Sequence, residues 1–366
     1  MSQSIFLPNY TIGTDAYEKV NDIVKSYGTK AVLIGGKTAL AKAENKIKTA
    51  LTQEVSVIDS LWYGGNSTYE NVARLMQEKS VQASEVLFAV GGGRVCDTVK
   101  VVGEKLAKPV FTIQTIGSNC SPVTAVCVIY TEAGEMQGLF FSSKPPVHAF
   151  IDTAIIAAAP DSYLWAGIGD ALSKEIEATF SSRGDQLDHT DALGIQISKM
   201  CTERLLTYGT QALKDSAANR PSDAIQQVVS DIIVTTGLLS VLVINDYNSA
   251  MAHSFYYGTT VLEKMEHYLH GASVSYGVLA LLMMDQQTEL FQRVYAFMKE
   301  NKLPVCLADM CLNAHSDLKA ILDKAMTTND IIHVPYPITR EMFQQAILNV
   351  EAYHAKQEKQ QYTTIG

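Results

Sequence analysis

Short apolar runs alternate with helical patterns over the first 115 residues of the chain. The apolar runs, which end at glycine or polar residues, are 31–35, 55–58, 86–90 and 109–114. The helical patterns between these runs are 37–51, 69–79 and 94–106. Short buried strands that alternate with helices predict a parallel sheet that is covered on both faces.

The pattern changes between residues 124 and 152. Two apolar runs, 126–130 and 138–141, flank turn-forming residues at 132–135, which is typical of a β-hairpin. A further run, 147–151, ends at Asp152. From Pro160 onward helical periodicity dominates, in the segments 162–180, 188–216, 222–249, 276–290, 289–300, 317–326 and 339–354.

These patterns predict two domains, an α/β domain at residues 1–158 and an all-α domain at residues 159–366. A length of 366 residues agrees with two domains, and 47% hydrophobic with 18% charged residues describes an ordinary globular protein. The polar stretch 356–361 is interpreted as a frayed tail.

The charge and apolar content limit the partners and the compartment. A net charge of −9 without a Lys/Arg cluster argues against nucleic acid or an anionic membrane as a partner. The most apolar stretch, 232–244, is shorter than the roughly 20 residues that span a bilayer, and we interpret it as a core helix. The N-terminus has no signal-peptide features, and the six cysteines lack CxxC spacing, so we expect reduced thiols and a cytoplasmic protein.

A glycine run follows the strand predicted at 86–90 and opens the next helix. Gly91, Gly92 and Gly93 would let the backbone approach a pyrophosphate, at a helix end that offers free N–H groups. The third small residue of the dinucleotide fingerprint is Cys96 here, rather than Gly or Ala. A tight strand-to-helix turn without a ligand is the alternative interpretation.

Three further residues bear on a nucleotide cofactor. Asp97 lies in the first turn of that helix, and we expect it to meet a ribose, a nicotinamide or a backbone N–H, because an unpaired carboxylate repels phosphates. After the strand predicted at 31–35, no acidic residue is present to bind a ribose diol. Lys37 and Thr38 could instead accept a 2′-phosphate, although a plain turn with a solvated lysine fits the pattern equally.

Asp170, His253 and His270 are the strongest candidates for catalytic chemistry. One carboxylate and two imidazoles form a set that leaves a divalent metal, zinc or iron, one position for water or substrate. Asp170 follows a Gly-Ile-Gly sequence in a helical segment, where each glycine costs roughly 1 kcal/mol, so we expect a close approach there. A helix-capping Asp170 is the alternative, and His267 is a weaker ligand candidate in a charged stretch.

Several segments, taken in order, resemble the iron-containing (group III) alcohol dehydrogenases, nearest to the glycerol dehydrogenase branch. The matching segments are 91–100, 115–118, 128–130, 166–172, 252–253 and 270–271. The resemblance covers nearly the full length, and it implies a Rossmann-like domain, a helical domain of the dehydroquinate synthase-like type, and a metal in the cleft held by Asp170, His253 and His270. It also implies cofactor contacts at Gly91, Gly92, Gly93, Thr115, Ser118, Thr124, Val126 and Tyr130.

The chain departs from glycerol dehydrogenases at three places. Cys120 stands where they carry an aspartate near the substrate, Tyr256 stands where they carry a second histidine, and Ala272 and Ser273 replace a Glu-Lys pair. Loss of the aspartate removes an acceptor for a polyol and a charge that repels carboxylates. With a cysteine at this position the chain resembles the hydroxycarboxylate dehydrogenase subgroup, which reduces 2-oxo acids with NADPH. Tyr256 is a candidate proton relay, although an unperturbed phenol, with a pKa near ~10, is a poor base.

The resemblance thus implies metal-assisted hydride transfer between NAD(P), with NADPH favoured, and a small hydroxy or oxo compound. A 2-oxo acid is favoured over dihydroxyacetone, the substrate of a glycerol dehydrogenase. Two other classes stay open, a dehydroquinate synthase-like lyase and a nucleotide-binding protein without turnover. The lyase would need a basic cluster near the three metal-ligand candidates, which the sequence does not provide. We expect a homo-oligomer, as is common in the family.

Overall fold

The computed structural model of the protein describes residues 4–51 and 54–365. The chain packs as two compact units, Met1–Leu164 with Gln211–Val241 (unit 1) and Trp165–Thr210 with Leu242–Gly366 (unit 2). These limits differ from the predicted ranges 1–158 and 159–366, chiefly because the segment 211–241 belongs to unit 1. The reason is packing, since Gly237 lies against Val123.

Unit 1 is built on a six-stranded parallel sheet. The eight strands of the described residues are β1 (Tyr10–Gly13), β2 (Lys30–Gly35), β3 (Ser56–Trp62), β4 (Val86–Gly91), β5 (Val110–Gln114), β6 (Val126–Tyr130), β7 (Met136–Phe141) and β8 (His148–Asp152). The sheet has the order β1-β8-β5-β4-β2-β3, while β6 and β7 form a separate antiparallel hairpin. Nearly every residue of β2, β4 and β5 is buried, which explains why their sequences are continuously apolar.

The helices cover this sheet and build unit 2. They are α1 (Val20–Val24), α2 (Lys37–Ala50), α3 (Tyr69–Gln77), α4 (Lys79–Ala83), α5 (Gly93–Leu106), α6 (Thr153–Ala157), α7 (Asp161–Ser181), α8 (His189–Ser198), α9 (Cys201–Ala217), α10 (Asp223–Val229), α11 (Thr236–Leu242), α12 (Met251–Thr259), α13 (His270–Met284), α14 (Thr288–Glu300), α15 (Leu318–Ala325) and α16 (Arg340–Ile365). The predicted fold class, a parallel α/β sheet followed by a helical part, is confirmed.

Helices α10 and α11 join through a π-helical turn, Ser230–Thr235, into one continuous apolar helix. By length and composition this helix, Asp223–Leu242, could cross a membrane. However, 67% of its most apolar window is buried inside the protein, as in the core helix that we expected there.

Several helices differ from the sequence-based expectation, among them α13 and α16. The predicted stretch 188–216 forms two helices, α8 and α9, and the predicted stretch 222–249 ends as a helix at Leu242. Helix α13 begins at His270 rather than at residue 276, because every residue from Gly271 to Leu282 is buried and the segment therefore lacks a periodic polar face. Helix α16 continues to Ile365 through the stretch that was interpreted as a frayed tail. Its residues there favour helix, and Lys299 forms an ion pair of 2.7 Å with Glu358.

Candidate metal centre and dinucleotide site

Three helices of unit 2 carry the candidate metal ligands. Asp170 lies in the middle of α7, His253 lies in the first turn of α12, and His270 is the first residue of α13. One ligand atom from each residue lies within 4.8 Å of the other two. Asp170 Oδ1 is 3.6 Å from His253 Nε2 and 3.3 Å from His270 Nε2. Asp170 is therefore not a helix cap, and the structure brings the three predicted residues together.

Glycines at the helix crossings allow this convergence. A Cβ atom at Gly271 of α13 would overlap the carbonyl oxygen of Ala166 in α7. A Cβ atom at Gly277 would lie 2.5 Å from the carbonyl oxygen of Ala252 in α12. The close approach that we expected beside Asp170 is present at Gly169, where a Cβ would overlap the Gly271 carbonyl. Helix α13 thus contacts both neighbouring helices at backbone distance.

The donor set fits a divalent cation. Among the described residues Asp170 Oδ1 is buried and has no hydrogen-bond partner, although a buried carboxylate oxygen requires one. Burial raises the pKa of Asp170, but His253 and His270 outweigh burial and hold the pKa well below its usual value, so the carboxylate stays ionised. One carboxylate and two imidazoles are ligands that suit zinc or ferrous iron.

Glu177 was not predicted from the sequence, yet it belongs to this site. Its side chain is fully buried, and Oε2 lies 2.5 Å from His253 Nδ1. Oε1 accepts the backbone N–H groups of Ala250 and His253, at 2.7 and 3.0 Å. The sequence offered one indication of this role, the spacing of the two residues. Glu177 follows Asp170 by two helical turns and therefore lies on the same face of α7.

The two carboxylates set the protonation of His253. Burial lowers the pKa of His253, but Glu177 and Asp170 outweigh burial and raise the pKa to about 9. The hydrogen bond to Glu177 places a proton on Nδ1, so that Nε2 is the nitrogen that faces Asp170. A metal ligand needs this orientation of the imidazole.

Tyr256 and Lys174 lie beside the same residues. The half-buried Tyr256 ring stands edge-on to the His270 ring, with 4.2 Å between the centroids. Lys174 follows Asp170 by one turn of α7, and its charge adds to the lowering of the Asp170 pKa by the two imidazoles. His267, the weaker ligand candidate, is exposed and is not one of the clustered ligands.

In unit 1 the glycine run lies at the carboxyl end of a central strand of the parallel sheet. Gly91 ends β4 with φ of 153°, and a Cβ there would lie 2.7 Å from Val95 Cγ2, so the turn requires glycine. Gly92 is the N-cap of α5, and the helix begins at Gly93, one residue before the predicted pattern 94–106. The strand register places Gly91 beside Gln114 of β5. The glycine run and the end of β5 therefore lie at the edge of the sheet where α/β proteins bind ligands.

The remaining candidates lie in the chain that follows β5 and in the strand β6 of the separate hairpin. Thr115 comes directly after β5 and donates its backbone N–H to the Gly91 carbonyl at 3.3 Å. Ser118 lies in the loop after β5, Thr124 lies just before β6, and Val126 and Tyr130 begin and end that strand. Arg94 was not among the predicted site residues, but its guanidinium lies 4.9 Å from the Tyr130 ring centre.

The carboxylate of Asp97 bonds to other groups of unit 1. It is buried, Oδ1 accepts a hydrogen bond of 2.6 Å from Ser121 Oγ, and Oδ2 accepts one of 3.1 Å from the Val128 N–H. A backbone N–H, one of the three partners expected for Asp97, is thus present. Lys100 Nζ lies 3.0 Å from Asp97 Oδ1 as well.

Lys37 and Cys120 lie elsewhere in unit 1, and Lys37 is the first residue of α2. Lys37 Nζ lies 5.0 Å from the ring centre of Trp62, at the carboxyl ends of β2 and β3. Cys120 is half-buried and is the N-cap of a short 3₁₀ turn, Ser121–Val123. All six cysteines are free thiols in the structure.

Comparison with known proteins gives one consistent family. A sequence model of the iron-containing alcohol dehydrogenases matches residues 8–153. A glycerol dehydrogenase of Thermotoga maritima is 35% identical over 76% of this chain and 77% of its own length. Hydroxycarboxylate dehydrogenase A of Escherichia coli is 28% identical over 89% of this chain and 91% of its own length. The crystal structure of a probable glycerol dehydrogenase from Sinorhizobium meliloti superposes with a TM-score of 0.83 at 26% identity, covering 97% of this chain and 99% of the other.

Proposed function

Because the chain belongs to the iron-containing alcohol dehydrogenase family, we propose that it reduces a small 2-oxo acid to the 2-hydroxy acid with NADPH. Family membership makes it a metal-containing oxidoreductase with a nicotinamide cofactor and a small-molecule substrate. The observation that carries the proposal of a metal centre is the buried Asp170 oxygen, which has two imidazoles beside it and no hydrogen-bond partner among the described residues.

In the proposed mechanism Asp170, His253 and His270 hold a zinc or iron ion, and Glu177 keeps His253 in the ligating tautomer. The ion would polarise the substrate oxygen, and the nicotinamide would supply the hydride. Tyr256, beside His270, is the proposed proton relay. The proposed contacts of the cofactor are Gly91, Gly92, Gly93, Thr115, Ser118, Thr124, Val126 and Tyr130.

Charge favours an anionic substrate. Asp170 and Glu177 bring two negative charges to the proposed metal centre, while Lys174 and a bound divalent ion would together bring three positive charges. The resulting positive balance attracts a carboxylate. In the proposed site residue 120 lies near the substrate, as the resemblance to glycerol dehydrogenases implies, and Cys120 adds no charge where they carry an aspartate. Both features support a 2-oxo acid over a neutral ketone.

Lys37 supports NADPH as the reductant. Strand β2 ends without an acidic residue, so nothing there would repel a 2′-phosphate. Lys37 lies at this strand end with its ammonium over the Trp62 ring, which holds a positive charge beside a flat apolar surface. The 2′-phosphate of NADPH is negative and would be attracted to Lys37, and its adenine is an aromatic base that suits the flat Trp62 ring.

Glycerol oxidation, with dihydroxyacetone as the product, is the second candidate. It is favoured by the 35% identity to the Thermotoga maritima glycerol dehydrogenase, which exceeds the 28% identity to the hydroxycarboxylate enzyme. For either substrate we propose a cytoplasmic homo-oligomer without nucleic-acid or membrane partners, in keeping with the net charge of −9.

The test is a comparison of initial rates for the metal-loaded enzyme, with NADPH and with NADH, on 2-oxobutyrate and on dihydroxyacetone. We expect the highest kcat/KM with NADPH and 2-oxobutyrate. Faster reduction of dihydroxyacetone would instead establish the glycerol dehydrogenase alternative. No turnover with either substrate, despite tight dinucleotide binding, would favour a nucleotide-binding protein without this activity.

Two matched variants sharpen this test. Cys120→Asp restores the negative charge of glycerol dehydrogenases and should lower kcat/KM for 2-oxobutyrate about 10-fold relative to dihydroxyacetone. Cys311→Asp adds the same charge at an exposed position of unit 2 and should leave the ratio unchanged. Equal ratios in the two variants would contradict a role of residue 120 in substrate choice.

A further inference from the structure

Lys100 lies under the segment 119–128, which we call the site loop because it carries Cys120, Thr124 and Val126. The lysine projects from α5 and is only 3% exposed. Its ammonium donates to three backbone carbonyls of the site loop, those of Ser121 at 3.0 Å, Thr124 at 3.2 Å and Val126 at 2.6 Å. One side chain therefore contacts the loop at its 3₁₀ turn and at the start of β6.

Asp97, one turn earlier on α5, holds the same loop through donors. Its carboxylate accepts from the Ser121 hydroxyl and from the Val128 N–H, and it pairs with Lys100 at 3.0 Å. Helix α5 begins at the glycine run, so the pair links the site loop to the helix that carries the proposed pyrophosphate site.

The chemistry of the contacts explains why a lysine is required. An ammonium carries three N–H donors on a compact centre, and here three carbonyl oxygens converge on it. Both charges are buried, and removing one partner of such a pair leaves the other charge without compensation. A neutral side chain would leave the loop carbonyls unpaired, so the loop could not keep this arrangement.

We propose that Lys100 and Asp97 are positioning residues, which hold the site loop in the conformation that binds the dinucleotide, and that Asp97 does not itself contact the cofactor. The effect on the cofactor rests on the proposed function. The ordering of the loop does not, because it follows from contacts within unit 1. These two parts can therefore be tested separately.

The experiment compares Lys100→Met with Lys108→Met in the full-length protein. Lys108 is a matched control, since its ammonium also donates to three backbone carbonyls of unit 1, those of Val81, Gln82 and Ser84, far from the site loop in sequence. Amide hydrogen exchange of residues 119–128, measured without nucleotide, reports loop order. Fluorescence titration with NADPH reports affinity, and zinc affinity reports the integrity of unit 2.

We expect Lys100→Met to speed exchange across 119–128 and to weaken NADPH binding about 10-fold or more, as when the competent loop conformation falls to about a tenth of the population. Zinc affinity should stay unchanged. Lys108→Met should match the wild type in loop exchange and NADPH affinity. Faster exchange with unchanged NADPH affinity would confine the pair to a structural role and overturn the proposal.

Asp97→Asn covers the case in which Lys100→Met does not fold. It keeps the shape of the side chain and removes the charge, and it should change exchange and affinity in the same direction by a smaller factor. Wild-type exchange and affinity in Asp97→Asn would overturn the proposal. If the wild-type protein itself bound no dinucleotide, the proposed function would fail, whereas loop exchange would still decide whether the pair orders the loop.

Discussion

Glu177 decides which nitrogen of His253 carries a proton. Its Oε1 is occupied by two backbone N–H groups, and its Oε2 accepts from His253 Nδ1. Both oxygens of this buried carboxylate therefore have fixed partners, and the oxygen that accepts from Nδ1 holds the imidazole in one orientation. A carboxylate that accepts the N–H of a ligating histidine raises the basicity of that histidine and fixes its ring orientation.

We expect Glu177→Gln to lower metal affinity about 10- to 100-fold. The amide oxygen would keep the backbone N–H groups, so the amide NH₂ would face Nδ1 and drive the proton to Nε2, where a metal must bind. Competition with a chelator measures the affinity directly, and ¹⁵N NMR reads the tautomer.

Glu175→Gln is the matched control for this change. Glu175 lies two residues earlier on α7, is half-buried, and accepts from the Thr202 N–H at 3.1 Å instead of from a histidine. Equal metal affinity in the two variants would contradict the assigned role of Glu177.

The residues differ in how visible they are in the sequence. Asp170, His253 and His270 stand out because rare ligand types lie beside glycines. Glu177 does not, since its partner His253 is 76 positions away and a lone glutamate in a helix is usually a solvated residue. Lys100 and Asp97 were visible as charges on α5, but their burial depends on a loop that the apolar pattern does not predict.

At the scale of elements, close helix packing brings the ligands together. Helix α13 contacts α7 at Gly271 and α12 at Gly277, and at both places a side chain would meet backbone atoms. Backbone cannot yield as a flexible side chain can, so the distance between the helices depends on these glycines.

Gly271→Ala should therefore push α13 away from α7 and separate His270 from Asp170. We expect a loss of about 2–4 kcal/mol in the free energy of unfolding, as for strong overpacking, together with weaker metal binding. Gly194→Ala is a suitable control, because in α8 the added methyl group would meet the Val243 side chain at 2.6 Å rather than backbone. Denaturant unfolding measures the free energy of unfolding of both variants, and zinc titration measures their metal affinity. A Gly271→Ala protein with wild-type zinc affinity would contradict the role of this glycine in bringing His270 to Asp170.

Regular elements were predictable where one pattern dominated. Strands β2, β4 and β5 and helices α2 and α5 lie close to their predicted bounds, because buried parallel strands are continuously apolar. The start of α13 was not predictable by periodicity, since a helix that is buried on all sides has no polar face. The end of α16 was placed too early because polar composition alone does not separate an exposed helix from a tail.

For the whole molecule, assignment of residues to units depends on tertiary packing. The sequence pattern of the segment 211–241 is helical, like that of the rest of the C-terminal half, yet the segment belongs to unit 1 with the parallel sheet. No local pattern contains that information, because it lies in contacts such as Gly237 with Val123.

The stability of the folded protein should depend on pH through His148. Burial lowers the pKa of His148 to about 4, and its Nε2 lies 2.9 Å from Thr11 Oγ1. The unfolded chain, with a histidine pKa near ~6.5, binds this proton more readily, so stability falls as the pH drops from about 6.5 towards 4. Because His148 is only partly buried and solvent screens part of the effect, we expect this group to lower the free energy of unfolding by about 1 kcal/mol between pH 7 and pH 5.

Denaturant unfolding at the two pH values checks this prediction. His148→Gln keeps a polar side chain at the site but cannot titrate, and it should reduce the pH dependence by that amount. His315→Gln, which changes an exposed histidine, should leave it unchanged. An unaltered pH dependence in His148→Gln would refute the assignment.

The pairing of β1 with β8 has a consequence for how the protein is made. Asn9 donates to the carbonyl of Val147, 138 positions further along the chain, and Tyr10 pairs with Ala149. At a synthesis rate of roughly 5–20 residues per second, the first strand leaves the ribosome on the order of 10 s before its partner exists. During that time the apolar Phe6 and Leu7, which remain exposed even after folding, are available to other chains. The nascent protein therefore has a vulnerable interval during translation that ends only when β8 emerges.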